Sequence, residues 1–100
     1  MFLNVRSIFK TTMEDWEMMS KTYDDEGAHW AERFEHHFYL FIEELKKWFN
    51  TLENRPQTVE EAEELPEIKE LIEEIPGPLQ LNFLTELEEI VDQTETQRFD

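Results

Sequence analysis

All three histidines of the chain fall within one stretch, at positions 29, 36 and 37. His29, Glu32 and His36 stand at i, i+3 and i+7, with Glu43 a further seven residues along. On a helix this puts imidazole and carboxylate groups side by side on one face, a spacing that can share a divalent metal. Metal-dependent bundles draw such ligands from several helices and aim them inward. Here the cluster comes from one segment and faces away from the aromatic stripe, so His29, Glu32 and His36 are weak metal candidates. Their ordinary reading is a solvated face with Glu32 and His36 as an i,i+4 pair. His37 lies at the margin of the apolar stripe, where it is expected to make one hydrogen bond at the rim of the core; a free pKa near ~6.5 would allow a pH sensor, but nothing in the sequence favours that role.

Nucleophiles are scarce. The serines, Ser7 and Ser20, lie in no Gly-x-Ser-x-Gly turn, and there is no cysteine. That removes thiolate chemistry, Fe–S clusters, zinc–thiolate sites and disulfides together, and points to the cytoplasm. No catalytic residue and no cofactor is expected, and the chain reads as non-enzymatic.

Charge is the strongest global feature, with 25 acids against nine bases and a formal net charge of −16. Residues 1–50 hold ten acids and six bases, and residues 51–100 hold fifteen and three. Such a charge repels nucleic acid and anionic membrane surfaces, so direct binding to either is excluded first. The densest run is Glu60, Glu61, Glu63, Glu64, Glu67, Glu70, Glu73 and Glu74 against Lys69 alone. If helical, it spreads this charge over about 21 Å, a density close to that of the phosphates along a DNA strand. It can therefore imitate a nucleic acid in another protein's basic groove. The ordinary meaning of such a run is a solvated, solubilising face.

The elements that position these groups are helices. Trp30, Phe34, Phe38, Phe41, Leu45, Trp48 and Leu52 recur at alternating steps of four and three, which predicts a helix over about 28–52 with an aromatic core face. Tyr39 and Leu40 fall outside that arc, on an otherwise charged face, and are the candidate anchors for a protein partner. A first helix is expected over about 5–24, with Val5, Ile8, Phe9, Met13, Trp16, Met19 and Tyr23 in one arc. Thr11 with Glu14 fits a capping box and offers a rival start that would leave residues 1–10 as an extended arm. Asp24-Asp25-Glu26-Gly27 then interrupts the pattern. Gly27 suits a left-handed helix end and Asp24 or Asp25 a cap for the next helix, giving a hairpin; the alternative is one long kinked helix.

Further along, Arg55-Pro56 ends the second helix, and Thr58 with Glu61 forms a second capping box. A third helix over about 58–75 is broken at residues 65–66 by Leu65-Pro66, and Pro76-Gly77-Pro78 marks a turn. The last helix covers about 78–97 with Leu79, Phe83, Leu84, Leu87, Ile90 and Val91 as its stripe, and the pattern is lost from Thr94. Together these give an all-α, single-domain, small antiparallel four-helix bundle-like chain over 1–100. With three Trp, eight Phe and four Met to hide, an incomplete bundle would leave a homodimer seam. The longest unbroken apolar run, Phe38 to Ile42, is far short of the ~20 residues a bilayer span requires. MFLNVRSIFK lacks the apolar segment and cleavage site of a signal peptide.

The expected function is an acidic protein-binding module: an adaptor, inhibitor or regulator of a partner with a basic surface. Its contact residues are Tyr39 and Leu40 with Glu60, Glu61, Glu64, Glu67, Glu70 and Glu74. The alternative is a DNA or RNA mimic, and the third reading is a metal-binding helical protein using His29, Glu32 and His36.

Overall fold

The computed structural model describes residues 2–98 of the chain, and the side chains of residues 2–92. The described residues hold five helices and no strand: α1 (Phe2–Lys21), α2 (Asp24–Phe49), α3 (Val59–Glu63), α4 (Pro66–Glu74) and α5 (Gly77–Arg98). None of them is long and apolar enough to cross a membrane. The chain divides into two compact units, Met1–Thr51 and Leu52–Asp100.

The first unit is a helical hairpin. α1 begins at Phe2, so residues 2–10 are helical and the rival start at Thr11 is not used. Thr11 and Thr12 lie inside the helix, and their hydroxyls donate back to the carbonyls of Ser7 (3.4 Å) and Ile8 (2.7 Å). Lys21 closes the last turn, where its ammonium suits the helix dipole and meets Glu17 at 2.9 Å. Three ring pairs then record the packing: Phe2 with Trp48 at 4.8 Å, Phe9 with Phe41 at 5.2 Å, and Trp16 with Phe34 at 5.4 Å. Each step of seven residues up α1 is matched by seven down α2. The chain therefore reverses between them, and the single kinked helix is ruled out.

The reversal uses different residues from those expected. Tyr23 occupies the N-cap position of α2 in extended geometry, and no side chain caps the helix. Asp24 takes the left-handed conformation, at φ 58°, which a short polar side chain tolerates. Asp24, Asp25 and Glu26 fill the first turn of α2, where the dipole favours acids. Gly27 ends no helix: it lies within α2 and donates its N–H to the Tyr23 carbonyl at 3.2 Å. A Cβ there would stand 3.3 Å from the Thr22 carbonyl oxygen, a tight contact with the incoming chain that glycine avoids.

Burial along the hairpin is uneven. On α2, Phe41, Ile42, Leu45, Trp48 and Phe49 are buried, while Trp30, Phe34 and Phe38 are only half-buried. On α1 the buried residues are Val5, Phe9, Thr12 and Asp15. Ile8, Met13, Trp16 and Met19 are half-buried, and Tyr23 is 81% exposed. The expected arc of α1 is thus rotated toward two polar residues that the apolar pattern alone passes over.

The second unit follows its punctuation closely. Thr58 caps α3 by accepting from the Glu61 N–H at 3.1 Å. Leu65, pushed to extended geometry by the following proline, separates α3 from α4, and Pro66 opens α4. Ile75 is likewise extended before Pro76. Gly77 and Pro78 belong to the first turn of α5, and the Leu79 N–H reaches the Pro76 carbonyl at 2.9 Å. Gln80 donates to the Ile72 and Ile75 carbonyls, both at 3.4 Å, satisfying the exposed end of α4. Ile68 and Leu71 of α4, Ile75 just after it, and Leu79, Phe83, Leu87, Ile90 and Val91 of α5 are buried. The side chains from Gln93 onward, which include the stretch from Thr94 where the apolar pattern is lost, lie outside the described residues.

Candidate binding groove

A concave site of the hairpin runs between α1 and α2. α1 contributes Asn4, Ser7, Ile8 and Thr11, and α2 contributes Leu40, Glu43, Glu44 and Lys47, around a cavity of 310 Å³. Each wall is one helical stripe at i, i+3, i+4 and i+7, which is why eight residues from two distant segments face one trough. The α1 wall is short and neutral, and the α2 wall is long and charged. Ile8 and Leu40, both half-buried, supply its aliphatic surface. Lys47 meets Glu44 at 3.7 Å, leaving that carboxylate partly matched from within.

Two exposed apolar residues each lie one turn from a residue that lines the trough. Leu3, 82% exposed, lies one turn before Ser7, and Tyr39, 62% exposed, lies one turn before Glu43. The Tyr39 hydroxyl donates to Glu43 Oε1 at 3.1 Å. That hydrogen bond, together with the negative charge of Glu43, raises the Tyr39 pKa above its ordinary 10.0. It also fixes the Glu43 carboxylate at the rim.

Further toward the hairpin turn, Asp15 enters the interface as a buried carboxylate. His37 Nδ1 is hydrogen-bonded to Asp15 Oδ2, and Arg33 Nε stands 3.6 Å from Oδ1. The Asp15 side chain is 3% exposed, against 20% for His37 and 48% for Arg33, so one buried acid is held between two groups that reach water. The Arg33 guanidinium also lies over the Trp30 ring, 5.0 Å from its centroid. This cluster crosslinks the helices one to two turns beyond the trough.

The expected contact residues separate. Leu40 lines the groove and Tyr39 stands at its rim. Glu60, Glu61, Glu64, Glu70 and Glu74 are exposed and Glu67 half-buried, all in the second unit. Because α3 stops at Glu63 and α4 starts at Pro66, the acids do not share the single 21 Å rod that their number suggested. Lys69 meets Glu64 at 3.3 Å across that break. Glu61 also lines an open concavity of 430 Å³ with Glu53, Asn54, Arg55, Pro56, Gln57 and Leu65.

His29, Glu32 and His36 are exposed, and so is Glu26, which forms a Glu-x-x-His with His29. Among the described residues no group of three or more His, Asp or Glu side chains is placed to hold a metal ion. Asp15 and the α1 wall are what the residue pattern missed. The available signal was an acid and a threonine at three-residue spacing in line with Val5 and Phe9. Known protein families, curated proteins and solved structures contain no match to this chain.

Proposed function

We propose that the chain is a non-catalytic, acidic protein-binding module of the cytoplasm, acting as an adaptor, inhibitor or regulator of a partner with a basic surface. The observation that carries this reading is the groove itself. An aliphatic strip from Ile8 and Leu40 is bordered by Glu43 and Glu44, with the exposed rings and methyls of Tyr39 and Leu3 beside it. Apolar anchors within a charged rim are the common anatomy of a protein interface. The chain's net charge of −16 adds steering toward a cation-rich surface. A second copy of the chain brings the same −16, so a homodimer is the less favoured occupant.

Nucleic-acid mimicry is the second reading, favoured by the exposed carboxylates Glu60, Glu61, Glu64, Glu70, Glu73 and Glu74. Affinity capture with immobilised protein separates the two. For the module, a captured partner is lost on Leu40→Asp and retained when the 60–74 glutamates are changed in pairs to glutamine, and added duplex DNA does not release it. For the mimic, the glutamine pairs and the DNA release the partner and Leu40→Asp does not. The second pattern overturns the module.

A further inference from the structure

We infer that the α1/α2 groove receives a cationic amphipathic helix, laid along the trough as a third helix against the hairpin. This rests on the binding-module reading and names the form of the partner segment.

The walls decide the form. Asn4, Ser7, Ile8 and Thr11 on one side and Leu40, Glu43, Glu44 and Lys47 on the other share the same i, i+3, i+4, i+7 spacing. Each stripe rises about 10.5 Å, two helical turns. Two parallel rows of side chains with a trough between them are what a third helix fills by setting its own ridge into the groove. An extended segment is poorly served here. Both walls are α-helices whose backbone groups already bond internally, and the described residues contain no strand edge. An extended peptide entering the trough would lose water from its N–H and C=O groups without a ladder to replace it. A helix arrives with those groups satisfied.

The wall chemistry decides the charge and orientation. Asn4, Ser7 and Thr11 are short, so the incoming backbone can approach α1 closely, while Leu40 and Ile8 meet its apolar side chains. At 310 Å³ the cavity lies at the small end of the roughly 300–1,000 Å³ range of ligand sites. It displaces about ten waters, a volume suited to two aliphatic anchors one turn apart rather than to a large ring system. Glu43 is held at the rim by Tyr39, and Glu44 shares Lys47, so Glu43 is the first site for a partner lysine or arginine. Anionic lipid, nucleic acid and a second acidic copy are all disfavoured by the −16 charge.

The test uses the full chain and three labelled synthetic peptides of about 18 residues, long enough to fold as helices. The first is a leucine–lysine sequence with helical periodicity. The second has the same composition in strict alternation, and the third replaces lysine by glutamate. Anisotropy at about 0.15 M salt reads the affinity and circular dichroism reads the induced helix. The first peptide is expected to bind and gain helicity, and the third not to bind. Leu40→Asp, or Ser7→Trp at an exposed position that fills the trough, should each weaken the first peptide at least about tenfold. Tyr23→Ala, in the turn, should leave it unchanged, and Glu43→Lys with Glu44→Lys should shift preference toward the glutamate peptide. Circular dichroism of each variant confirms that it folds.

Equal binding of the alternating peptide, still sensitive to Leu40→Asp, overturns the helical form and keeps the module. Binding that ignores both groove variants, but is lost when the 60–74 glutamates become glutamine, overturns the groove as the seat. Failure of every cationic peptide overturns both the inference and the module.

Discussion

Replacing His37 by leucine tests whether Asp15 is a charge that the hairpin must keep paired. Leucine preserves apolar bulk at the position and removes only the ring nitrogens. The Asp15 carboxylate, 3% exposed, is then left with Arg33 Nε at 3.6 Å, longer than a hydrogen bond. Breaking a buried pair from one side costs about 3–5 kcal/mol, because the surviving charge stays desolvated. Arg33 offsets part of this, so the low end, about 3 kcal/mol, is expected for His37→Leu.

The reverse change is milder. Asp15→Ala loses a charge-assisted hydrogen bond of about 1.5–3 kcal/mol, but His37 and Arg33 both reach water, and alanine is the better helix former by about 0.6 kcal/mol. The net expectation is about 1 kcal/mol. Asp15→Ala combined with His37→Leu should recover at least half of what His37→Leu alone loses, since the orphaned charge is gone. Urea unfolding followed by circular dichroism measures all four proteins. For a chain of this size the His37→Leu loss corresponds to roughly 12 °C or more in Tm. If Asp15→Ala costs more than His37→Leu, or if the double variant is the least stable of the four, the carboxylate is not a buried charge in need of a partner.

The uneven burial of the aromatic stripe gives a second prediction. Phe41→Ala, at a fully buried ring, should cost about 3–5 kcal/mol, while Phe34→Ala, at a half-buried one, should cost clearly less in the same unfolding assay. Tyr39 gives a third, by absorbance titration in a Tyr23→Phe background that isolates its signal. Its midpoint should lie above 10.0 and fall toward that value in Glu43→Gln. Because the folded value is raised, the contribution of this hydrogen bond is present at neutral pH and lost as pH rises through the raised midpoint. Glu86 gives a fourth: burial first, and then the charge of Glu89, raise its pKa above 4.5. The folded chain therefore binds that proton more tightly than the unfolded one, and stability falls as pH rises from 4.5 through the raised value. Glu86→Gln should be more stable than the parent near pH 7, with the gap closing below 4.5.

Punctuation was the most legible part of the fold. Thr58 with Glu61, Leu65-Pro66 and Pro76-Gly77-Pro78 act on the backbone within a few residues of themselves, so the ends of α3 and α4 follow from local chemistry. The ring spacing likewise showed which face of α2 turns inward from Phe41 to Trp48, while Trp30, Phe34 and Phe38 on the same stripe stay half-buried. What stayed hidden depends on groups far apart in sequence. Asp15 looks like any acid on a helix until the hairpin brings His37, 22 residues away, against it. Gly27 suggests a helix end, and only the position of the Thr22 carbonyl shows why a side chain would be crowded there. Tyr39 and Leu40 stood out as apolar residues on a charged face. Their division into rim and trough could not be read, because the opposite wall is made of Asn4, Ser7 and Thr11, residues that are unremarkable wherever they occur on a helix surface.

Asp15 and the groove are connected through register. The seven-residue ring pairs fit α1 against α2, but rings are tolerant partners, and a slip of one turn would move α1 by 5.4 Å and still leave apolar side chains opposed. A buried carboxylate is not tolerant. Displaced by one turn, Asp15 would lose His37 and keep its desolvation cost, so the alternative register is disfavoured by the same few kcal/mol that His37→Leu measures. The stripes 4–7–8–11 and 40–43–44–47 face each other only in the native register. A polar contact outside the trough thereby holds its two walls in line, and variants that remove the whole Asp15–His37 pair should weaken helix binding at the groove while costing at most about 1.5 kcal/mol of stability, half of the His37→Leu loss.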